Sequence, residues 1–359
     1  MSNPQYFNLS RYQRQMILPQ IGEHGQKKLC EAKVIVIGAG GLGSPVLMYL
    51  SAAGIGNIGV IDYDKVDLSN LHRQILYNTT DIGKSKIDIT TQRLKSINPE
   101  INIIPYNERL SKSNILEIIN DYDIVVDGSD NFPTRFLVND AVVMLNKPHV
   151  FGAVYQFMGQ ASVFNYKNGP TYRCVFPKQP KTDEIPSCST GGVIGSLPGL
   201  IGSIQATETV KIILDIGETL SGRFFQIDGL DFKIEIIEVK PDDNQKKIKS
   251  LGDYEISCQS RVKNITPRQL HKERTNGKIK IYEVRTQQQY NDFNISGERI
   301  EAEDLFLNTS SFSSYEKVII VCQRGVQSLS IVEQLVQKED FNNLYNLEGG
   351  ISRWLDEIP

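Results

Sequence analysis

The stretch that most constrains the fold is residues 34–43, which read Val-Ile-Val-Ile-Gly-Ala-Gly-Gly-Leu-Gly. Four consecutive β-branched residues predict one buried strand of a parallel sheet. Ser44 and Pro45 follow and open a helix, because proline is tolerated in a first turn. The apolar residues of this helix recur at helical spacing: Val46, Leu47, Leu50 and Ala53. The stretch therefore predicts the first strand–turn–helix unit of an open α/β sheet.

The turn between this strand and helix has the pattern Gly-x-Gly-x-x-Gly. Its glycines allow a tight turn, close backbone approach to a phosphate, and close contact between helix and strand. The helix N-terminus adds N–H donors and a positive dipole end for an anion. Because the turn follows a clean strand, we interpret it as a nucleotide site; a plain strand-to-helix connection is the alternative. The glycines concerned are Gly38, Gly40, Gly41 and Gly43.

Two acidic residues end the second predicted strand, 58–61. Asp62 lies about 20 residues after the glycine turn, where a carboxylate can bind ribose hydroxyls. Asp64 follows two residues later. A strand-end turn is the alternative role for Asp62, since aspartate is common there. Its position after a glycine-rich unit favours ribose binding.

Cations and a third aspartate follow. Arg73 and Lys86 could neutralise phosphates, with Asn70 orienting one; by themselves such residues are also ordinary surface charges. Asp130 follows the predicted strand 122–127, at the sheet edge where ligands of α/β proteins bind. It could hold Mg²⁺, or it could serve as a turn or helix-cap residue. Arg14, in the early helical region, is consistent with a solvated helix face.

Composition excludes several functional classes. The chain has 359 residues, room for about two or three domains, and a net charge of −3. That charge gives no electrostatic basis for binding nucleic acid or an anionic membrane. No apolar run approaches the roughly 18 residues that a membrane span needs. With no secretion signal at its start, the chain is expected in the cytoplasm, where its five cysteines are free, metal-bound or reactive rather than disulfide-paired.

The later chain changes pattern. Alternating stretches at 161–166, 223–228 and 232–239 predict mixed or antiparallel strands that extend the parallel sheet. A helix is expected at about 198–214. We predict a first domain over residues 1–245, a polar linker over 246–264 and a second, small α/β domain over 265–359.

Two cysteines stand in distinctive surroundings. Cys188 lies among Ser, Thr and Gly in a proline-rich loop, and either an accidental thiol or a functional one fits. Cys322 follows the predicted strand 317–321 and precedes a helix, so backbone N–H groups and a helix N-terminus face its sulfur. Such surroundings stabilise a thiolate or persulfide. A buried structural cysteine is the alternative.

Residues 8–240 resemble the MoeB/ThiF/HesA family, bacterial relatives of the ubiquitin-activating enzymes. The matching motifs occur in order: Arg-Tyr-x-Arg-Gln (11–15), Gly-Ala-Gly-Gly-Leu-Gly (38–43), Asp-Tyr-Asp-x-Val (62–66), Ser-Asn-Leu-x-Arg-Gln (69–74), Gly-Lys-x-Lys (83–86) and Asp-x-Ser-Asp-Asn (127–131). Residues 266–359 resemble a rhodanese domain. Its marks are Glu-Val-Arg (283–285), the Cys322 loop and Asn-Leu-Glu-Gly-Gly-Ile-x-x-Trp (346–354).

The resemblance implies a homodimeric, ATP- and Mg²⁺-dependent enzyme that acts on a ubiquitin-fold sulfur-carrier protein. The carrier's C-terminal carboxylate would attack the α-phosphate of ATP and form an acyl-adenylate and pyrophosphate. Cys322 would then carry a persulfide, loaded by a cysteine desulfurase or another persulfide donor, and deliver sulfur to make a thiocarboxylate.

The resemblance also assigns residues to these tasks. Arg14 would reach the phosphates of the partner subunit, and Asp130 would hold the metal. Cys188 matches a crossover-loop cysteine that in some members links covalently to the carrier. The residues that it places around ATP are Gly38, Gly40, Gly41, Gly43, Asp62, Asp64, Ser69, Asn70, Leu71, His72, Arg73, Lys86, Asp130 and Asn131.

Three positions depart from the family pattern. Two Cys-x-x-Cys pairs usually hold a structural zinc, but here only Cys174 and Cys258 remain, so we predict no zinc. Gln327 stands where the rhodanese loop commonly has arginine, which favours a protein persulfide over thiosulfate as donor. Glu283 replaces the usual aspartate, a mild structural change.

Other functions were weighed against this one. A nicotinamide-dependent oxidoreductase would share the glycine turn but has no need of the cation cluster. A non-catalytic scaffold for a ubiquitin-like partner would not need the retained cations and Cys322. The carrier could be the small subunit of molybdopterin synthase, which we favour by analogy, or one serving thiamine, cysteine or a secondary metabolite.

Overall fold

The computed structural model describes residues 8–180, 192–254, 262–274, 278–307, 309–338 and 341–358. They divide into two compact units, one built from the chain up to residue 254 and one from the chain after it. Each unit has its own sheet and its own hydrophobic core.

The first unit is built on an eight-stranded sheet with the order β3-β2-β1-β4-β5-β6-β7-β8. The pairs among the first five strands in this order are parallel, and the pairs from β5 to β8 are antiparallel. The predicted Rossmann-like sheet with an antiparallel extension is therefore confirmed. Its strands are Lys33–Ile37 (β1), Asn57–Ile61 (β2), Asn102–Tyr106 (β3), Ile124–Asp127 (β4), His149–Tyr155 (β5), Met158–Phe164 (β6), Arg223–Asp228 (β7) and Lys233–Glu238 (β8).

Helices cover both faces of this sheet. The larger core cluster contains residues of α2, α3, α4 and α8, and the cluster on the other face contains residues of α5 and α6. Their bounds are Gln13–Met16 (α1), Gly22–Glu31 (α2), Gly43–Ala53 (α3), Lys86–Ile97 (α4), Ile115–Asn120 (α5), Phe132–Met144 (α6), Tyr172–Val175 (α7) and Ser196–Leu214 (α8).

The long helix α8 is hydrogen-bonded to two neighbouring strands of the parallel part of the sheet. Gln205, fully buried, donates from its side-chain amide to the carbonyls of Asp127 (2.7 Å) and Val150 (3.2 Å), on β4 and β5. Gly202 allows α8 to lie against α3, since a Cβ there would be 2.6 Å from the carbonyl oxygen of Leu42. This helix therefore braces the strand ends that carry the predicted ligand site.

The linker predicted over residues 246–264 overlaps both units. Leu251 is buried in the first unit, and Tyr254 stacks on Phe136 of α6. Arg173 makes two hydrogen bonds to the Asp140 carboxylate, at 2.7 and 3.1 Å, and donates to the Tyr254 hydroxyl at 2.7 Å. These buried polar contacts explain why a stretch that reads as polar linker is folded up to residue 254. At the other end, residues 263–265 already form a strand of the second unit.

The second unit is a five-stranded sheet with the order β11-β10-β12-β13-β9, in which all pairs are parallel. It confirms the predicted small α/β domain. Its strands are Lys263–Ile265 (β9), Ile279–Glu283 (β10), Glu298–Arg299 (β11), Lys317–Val321 (β12) and Leu344–Leu347 (β13). Its helices are Pro267–Glu273 (α9), Gln287–Asp292 (α10), Ala302–Leu305 (α11), Val326–Lys338 (α12) and Gly350–Glu357 (α13).

None of the helices in the described ranges combines the length and the hydropathy that crossing a bilayer requires.

Candidate active site

A cleft lies where the strand order of the first unit reverses, outside the carboxyl ends of β1 and β4. In open α/β sheets this crevice is the usual ligand site, because the loops on its two sides diverge to opposite faces. The loops after β1, β2, β3 and β4 all contribute lining residues. Of the residues predicted around ATP, the cleft brings together Gly38, Gly40, Gly41, Asp62, Asp64, Arg73, Lys86, Asp130 and Asn131.

The glycine turn is shaped by two close approaches. Gly38 has a φ of +87°, in the left-handed region. A Cβ on Gly43 would lie 1.9 Å from the carbonyl oxygen of Gly38, so this position excludes every other residue. Gly43 itself does not line the cleft; it closes the turn on which the lining glycines lie.

The Tyr77 hydroxyl steadies the same turn from below by donating to the carbonyl of Ala39 at 2.8 Å. Burial raises the pKa of Tyr77, so this hydroxyl remains a donor across the physiological pH range.

Asp62 ties the glycine turn to the end of β2. Its carboxylate accepts from the backbone N–H groups of Ala39 and Asp64, both at 2.9 Å. Asp64 in turn pairs with the Lys86 ammonium group at 2.9 Å. Lys86 is only 4% exposed, whereas the Asp64 side chain is half exposed. An otherwise costly buried cation is thus held at the cleft wall by one carboxylate.

Arg73 lines the cleft, while the residues just before it form the supporting turn. The Arg73 guanidinium and the His72 ring each contact the carbonyl of Ser69, at 3.1 and 2.9 Å. Ser69 is capped by Asp67, whose pKa is lowered by the hydrogen bond from the Ser69 hydroxyl and then by the one from the Ser69 backbone N–H. The predicted residues Ser69, Asn70, Leu71 and His72 do not line the cleft within this chain.

Asp130 lies at the open end of the β4 loop and is exposed. Asn131 caps α6 by accepting from the Thr134 backbone N–H at 3.0 Å, so the helix-cap role considered for Asp130 belongs to its neighbour. The Asp130 carboxylate is left facing the cleft. Among the described residues no group of three acidic, histidine or cysteine side chains forms a metal site.

The β4 loop is anchored by a buried contact between an aspartate and a histidine that sequence reasoning missed. Asp127 is fully buried, 3.4 Å from the ring of the equally buried His149, and accepts from the Ser129 backbone N–H at 2.9 Å. Burial alone would raise the pKa of Asp127, but His149, Arg135 and Ser129 together hold it below its usual value. This anchor fixes the loop that presents Asp130.

Several lining residues were not predicted as site residues, although two of them, Tyr63 and Gln74, lie within matching motifs. The loop after β3 contributes three of them, which follows from the rule that ligand sites form at the carboxyl ends of strands. The full set is Tyr63, Gln74, Glu108, Arg109, Leu110, Thr134, Val154 and Pro198.

Two predicted site residues lie elsewhere. Arg14 is exposed on α1 and does not line the cleft of its own chain. Cys188 lies outside the described residues.

In the second unit, Cys322 follows β12 directly and is 3% exposed. Its sulfur lies 3.1 Å from both the Gly325 backbone nitrogen and the Ser328 hydroxyl oxygen. Gly350 packs against this loop so closely that a Cβ would lie 2.6 Å from the Gly325 nitrogen. Of the backbone N–H groups predicted to face this sulfur, that of Gly325 does so, and the Ser328 hydroxyl at the start of α12 is the second polar partner.

Glu283 and Arg285 brace the cysteine loop. Both are buried and form an ion pair, and the second Glu283 carboxylate oxygen accepts from the Ile295 backbone N–H at 3.0 Å. Arg285 also reaches Gln323, next to the cysteine, at 3.4 Å. The Glu283 carboxylate therefore binds both the Arg285 guanidinium and the Ile295 backbone N–H.

Cys174, one of the two cysteines left from the zinc pattern, accepts hydrogen bonds through its sulfur from the backbone N–H groups of Thr171 and Asp242, both at 3.3 Å. The Thr171 hydroxyl lies 3.4 Å from the same sulfur. A hydroxyl therefore stands where the Cys-x-x-Cys pattern has its first thiol. Cys258 lies outside the described residues.

These features define a class of protein: a nucleotide-binding α/β unit followed by a small parallel α/β unit with a reactive-type cysteine loop. Models of known families agree. Residues 12–248 match the ThiF family and residues 266–357 match the rhodanese-like domain.

Of three curated relatives, two match nearly the whole chain and the third matches 70% of it. A probable adenylyltransferase/sulfurtransferase, MoeZ, of Mycobacterium tuberculosis is 37% identical over 98% of this chain and 93% of its own length. A probable molybdopterin-synthase adenylyltransferase of Porphyra purpurea is 38% identical over 97% and 93%. A sulfur carrier protein adenylyltransferase of Thermus thermophilus is 48% identical over 70% of this chain and 96% of its own.

The chain belongs to the ThiF family and carries a C-terminal rhodanese-like domain, the combination shared with relatives named as both adenylyltransferase and sulfurtransferase. Among solved structures, Escherichia coli MccB with ATP superposes with a TM-score of 0.59 over 66% of this chain and 73% of that chain, at 25% identity. This likeness supports the fold of the first unit.

Proposed function

We propose that this chain is an ATP-dependent adenylyltransferase that activates the C-terminal Gly-Gly carboxylate of a ubiquitin-fold sulfur carrier, and a sulfurtransferase that converts it to a thiocarboxylate. One observation carries the proposal. The glycine turn, the cations Arg73 and Lys86, and Asp130 converge on a single cleft at the switch point of the sheet.

Adenylation needs a positive site for a phosphate that gains charge. The carrier carboxylate attacks the α-phosphorus, the bond from that phosphorus to the bridging oxygen breaks, and pyrophosphate leaves. Arg73 and Lys86 would stabilise the charge on the phosphate oxygens in the transition state. Lys86 is prepared for this task, because an ammonium group has three N–H donors and Asp64 takes one.

Binding of the nucleotide would use the turn and its neighbours. Gly40 leaves open space where a side chain would stand, the nearest atom to an added Cβ being 3.7 Å away, so the phosphates can approach the backbone. The Asp62 carboxylate accepts one backbone hydrogen bond on each oxygen and keeps lone pairs for ribose hydroxyls.

Magnesium fits this cleft as a companion of the nucleotide. Mg²⁺ is commonly held by one or two carboxylates together with substrate phosphates, and Asp130 is an exposed carboxylate on the cleft wall. When bound, the ion would neutralise charge on the phosphates that leave.

Sulfur transfer is the task of the second unit. The outer sulfur of a Cys322 persulfide attacks the acyl carbon, the bond from that carbon to the phosphate oxygen breaks, and AMP leaves. The product is an acyl disulfide, and a thiol then cleaves its S–S bond to leave the thiocarboxylate and a new disulfide. Cys188 is a candidate for a covalent contact with the carrier. A cysteine desulfurase or another protein persulfide donor would load Cys322, and the need for free thiols fits the cytoplasm.

The carrier is the least determined element of the proposal. We favour the molybdopterin-synthase small-subunit type, in line with the Porphyra relative's name, with the thiamine type next. ATP–pyrophosphate exchange with a panel of Gly-Gly carriers tests this choice. Exchange with one carrier is the expected result; ATP binding without exchange on any carrier would favour a scaffold, and NADH binding would revive an oxidoreductase.

We also propose that no structural zinc is needed. Tetrahedral zinc sites use four Cys or His ligands, whereas each pair here keeps one cysteine. Elemental analysis of the purified chain should find far less than one zinc per chain. About one zinc per chain would show that Cys174 and Cys258 still form the site with substitute ligands.

A further inference from the structure

We propose that Ser328 is a positioning residue for Cys322: its hydroxyl, held by Asn346, is a hydrogen-bond partner that reverses direction when the sulfur loses its proton. This inference deepens the role of Cys322 and rests on the sulfur delivery proposed above. It concerns how one buried sulfur is accommodated both as a thiol and as an anion.

A continuous chain of polar atoms leads away from the sulfur. The Ser328 oxygen lies 3.1 Å from the Cys322 sulfur and 2.7 Å from the Asn346 side-chain oxygen. The Asn346 amide nitrogen lies 3.0 Å from the side-chain oxygen of Asn264. Cys322, Ser328 and Asn346 are all at most 3% exposed, whereas Asn264 lies at the surface on β9.

Counting protons shows that this chain has two states. A serine hydroxyl has one proton, so it cannot donate to the sulfur and to Asn346 at the same time. If it donates to Asn346, the sulfur must be the donor, which requires a thiol. If the sulfur is a thiolate or a persulfide anion it can only accept, and the hydroxyl must turn toward it.

The second state requires that the nitrogen and oxygen of the Asn346 amide exchange positions. Rotation of the Asn346 amide by half a turn places its nitrogen against Ser328, where it donates to the hydroxyl oxygen. Its own oxygen then accepts from Asn264, whose exposed amide is free to rotate likewise. Each group in the chain keeps a partner in both states, which matters because a buried polar group without a partner is costly.

The Gly325 backbone N–H is different, because it donates to the sulfur in both states. Ser328 is therefore the partner that distinguishes the anion from the thiol. Without its hydroxyl the anion would keep one of the two donors described here. Hydrogen bonds to a charged group are among the strongest in proteins, so the loss should be measurable.

The test is the rate of Cys322 alkylation by iodoacetamide as a function of pH, followed on the Cys322 peptide by mass spectrometry. Only the anion reacts. In Ser328→Ala the pH of half-maximal rate should rise by about one unit, a roughly tenfold slower reaction at neutral pH. Ser328→Thr, which restores the hydroxyl, should return it toward the wild-type value. Ser330→Ala on the same helix is the matched control and should change nothing.

A second variant keeps the inference testable if Ser328→Ala does not fold. In Asn346→Asp a carboxylate can only accept, so it holds the hydroxyl proton away from the sulfur and should also raise the half-maximal pH. An unraised half-maximal pH in this variant would by itself overturn the inference; where Ser328→Ala folds, the double variant also separates this effect from the added charge. If the hydroxyl transmits the effect, the two shifts are not additive; if charge alone acts, they add in full and the inference is overturned.

Superimposable profiles for the wild type and Ser328→Ala would also overturn it. This measurement uses neither carrier nor sulfur donor. A shifted profile in a protein that makes no thiocarboxylate would therefore support the hydrogen-bond chain while contradicting sulfur delivery. Normal thiocarboxylate formation with an unshifted profile would reject the hydrogen-bond chain alone.

Discussion

Lys86 is a buried cation, and burial of a charge is costly unless an anion lies beside it. It is paired with Asp64 on one side and faces the cleft on the other. We expect Lys86→Ala to lower ATP–pyrophosphate exchange by on the order of 10²-fold, because one charge that stabilises the transition state is lost. Stability should change little, since the abandoned Asp64 carboxylate is half exposed and stays hydrated.

Lys84→Ala is the control for this variant. Its ammonium group lies 3.7 Å from Asp81, its side chain is 55% exposed, and it does not line the cleft. Lys84→Ala should show ATP–pyrophosphate exchange at the wild-type rate. If Lys86→Ala does so too, Lys86 has no catalytic role.

Cys322 tests the second half of the reaction separately. Because the proposed adenylation uses the cleft of the first unit, Cys322→Ala should keep wild-type exchange with the carrier. It should form no thiocarboxylate with a persulfide donor. Mass spectrometry of the carrier would then show no mass increase from an added sulfur atom. A normal thiocarboxylate yield would falsify the role of Cys322 in sulfur delivery.

At the scale of single residues, sequence reasoning worked where a residue type has one physical use at its position. The Gly43 position tolerates no side chain, and a cysteine at a strand-to-helix turn was found among N–H donors as expected. It failed for Glu108 and Arg109, which line the cleft without any motif. Only the meeting of loops from separate strands brings them there.

At the scale of elements, the turn between β1 and α3 is the most tightly constrained. A methyl group on Gly43 would stand 1.9 Å from the Gly38 carbonyl oxygen, so β1 and α3 would have to separate. We expect Gly43→Ala to lower the free energy of unfolding by about 2 kcal/mol or more and to abolish ATP binding. Thermal unfolding and nucleotide titration measure the two effects.

Gly199→Ala serves as the comparison within α8. An added Cβ there meets nothing within 4 Å, and alanine favours a helix interior, so the variant should be as stable as the wild type or more stable by about 0.5–1 kcal/mol. Equal stability of Gly43→Ala and wild type would show that the turn relaxes without cost.

The elements predicted from periodicity were found near their expected bounds, including the antiparallel strands after residue 158. The exception is the predicted linker. Its polar composition hides Leu251, which joins a core cluster of the first unit, and Tyr254, whose partners Phe136, Asp140 and Arg173 lie far away along the chain. The pattern of neighbouring residues in the sequence gives no information about contacts between residues so far apart in the chain.

At the scale of the whole molecule, Arg14 makes the dimer testable. It is exposed and away from the cleft of its own chain, so its implied role at the phosphates requires a partner subunit. Arg14→Ala and Lys86→Ala should each be inactive alone. Isolated mixed dimers should regain about half of wild-type exchange, because each holds one intact site out of two, and an unfractionated mixture, about half of it mixed dimers, should regain about a quarter.

Co-expression with two different affinity tags isolates those mixed dimers. Arg11→Ala, mixed in the same way, controls for the loss of a neighbouring charge; its side chain donates to the Ile97 carbonyl instead. If the mixed dimers stay inactive while each parent variant is folded, Arg14 does not act across the interface.

The sequence alone determined the class of fold and the order of the two units, and it carries the chemistry proposed for the site. Strand periodicity, glycines at close approaches and charged residues at strand ends are local properties, and each has a direct physical meaning. The tertiary structure decided what depends on long-range packing. Long-range packing determined which residues line the cleft and where the first unit ends. It also buried the Asp127–His149 pair under the β4 loop and joined Ser328 and Asn346 behind Cys322. Such contacts join residues far apart in the chain, and their free energy exists only once the surrounding elements exclude water.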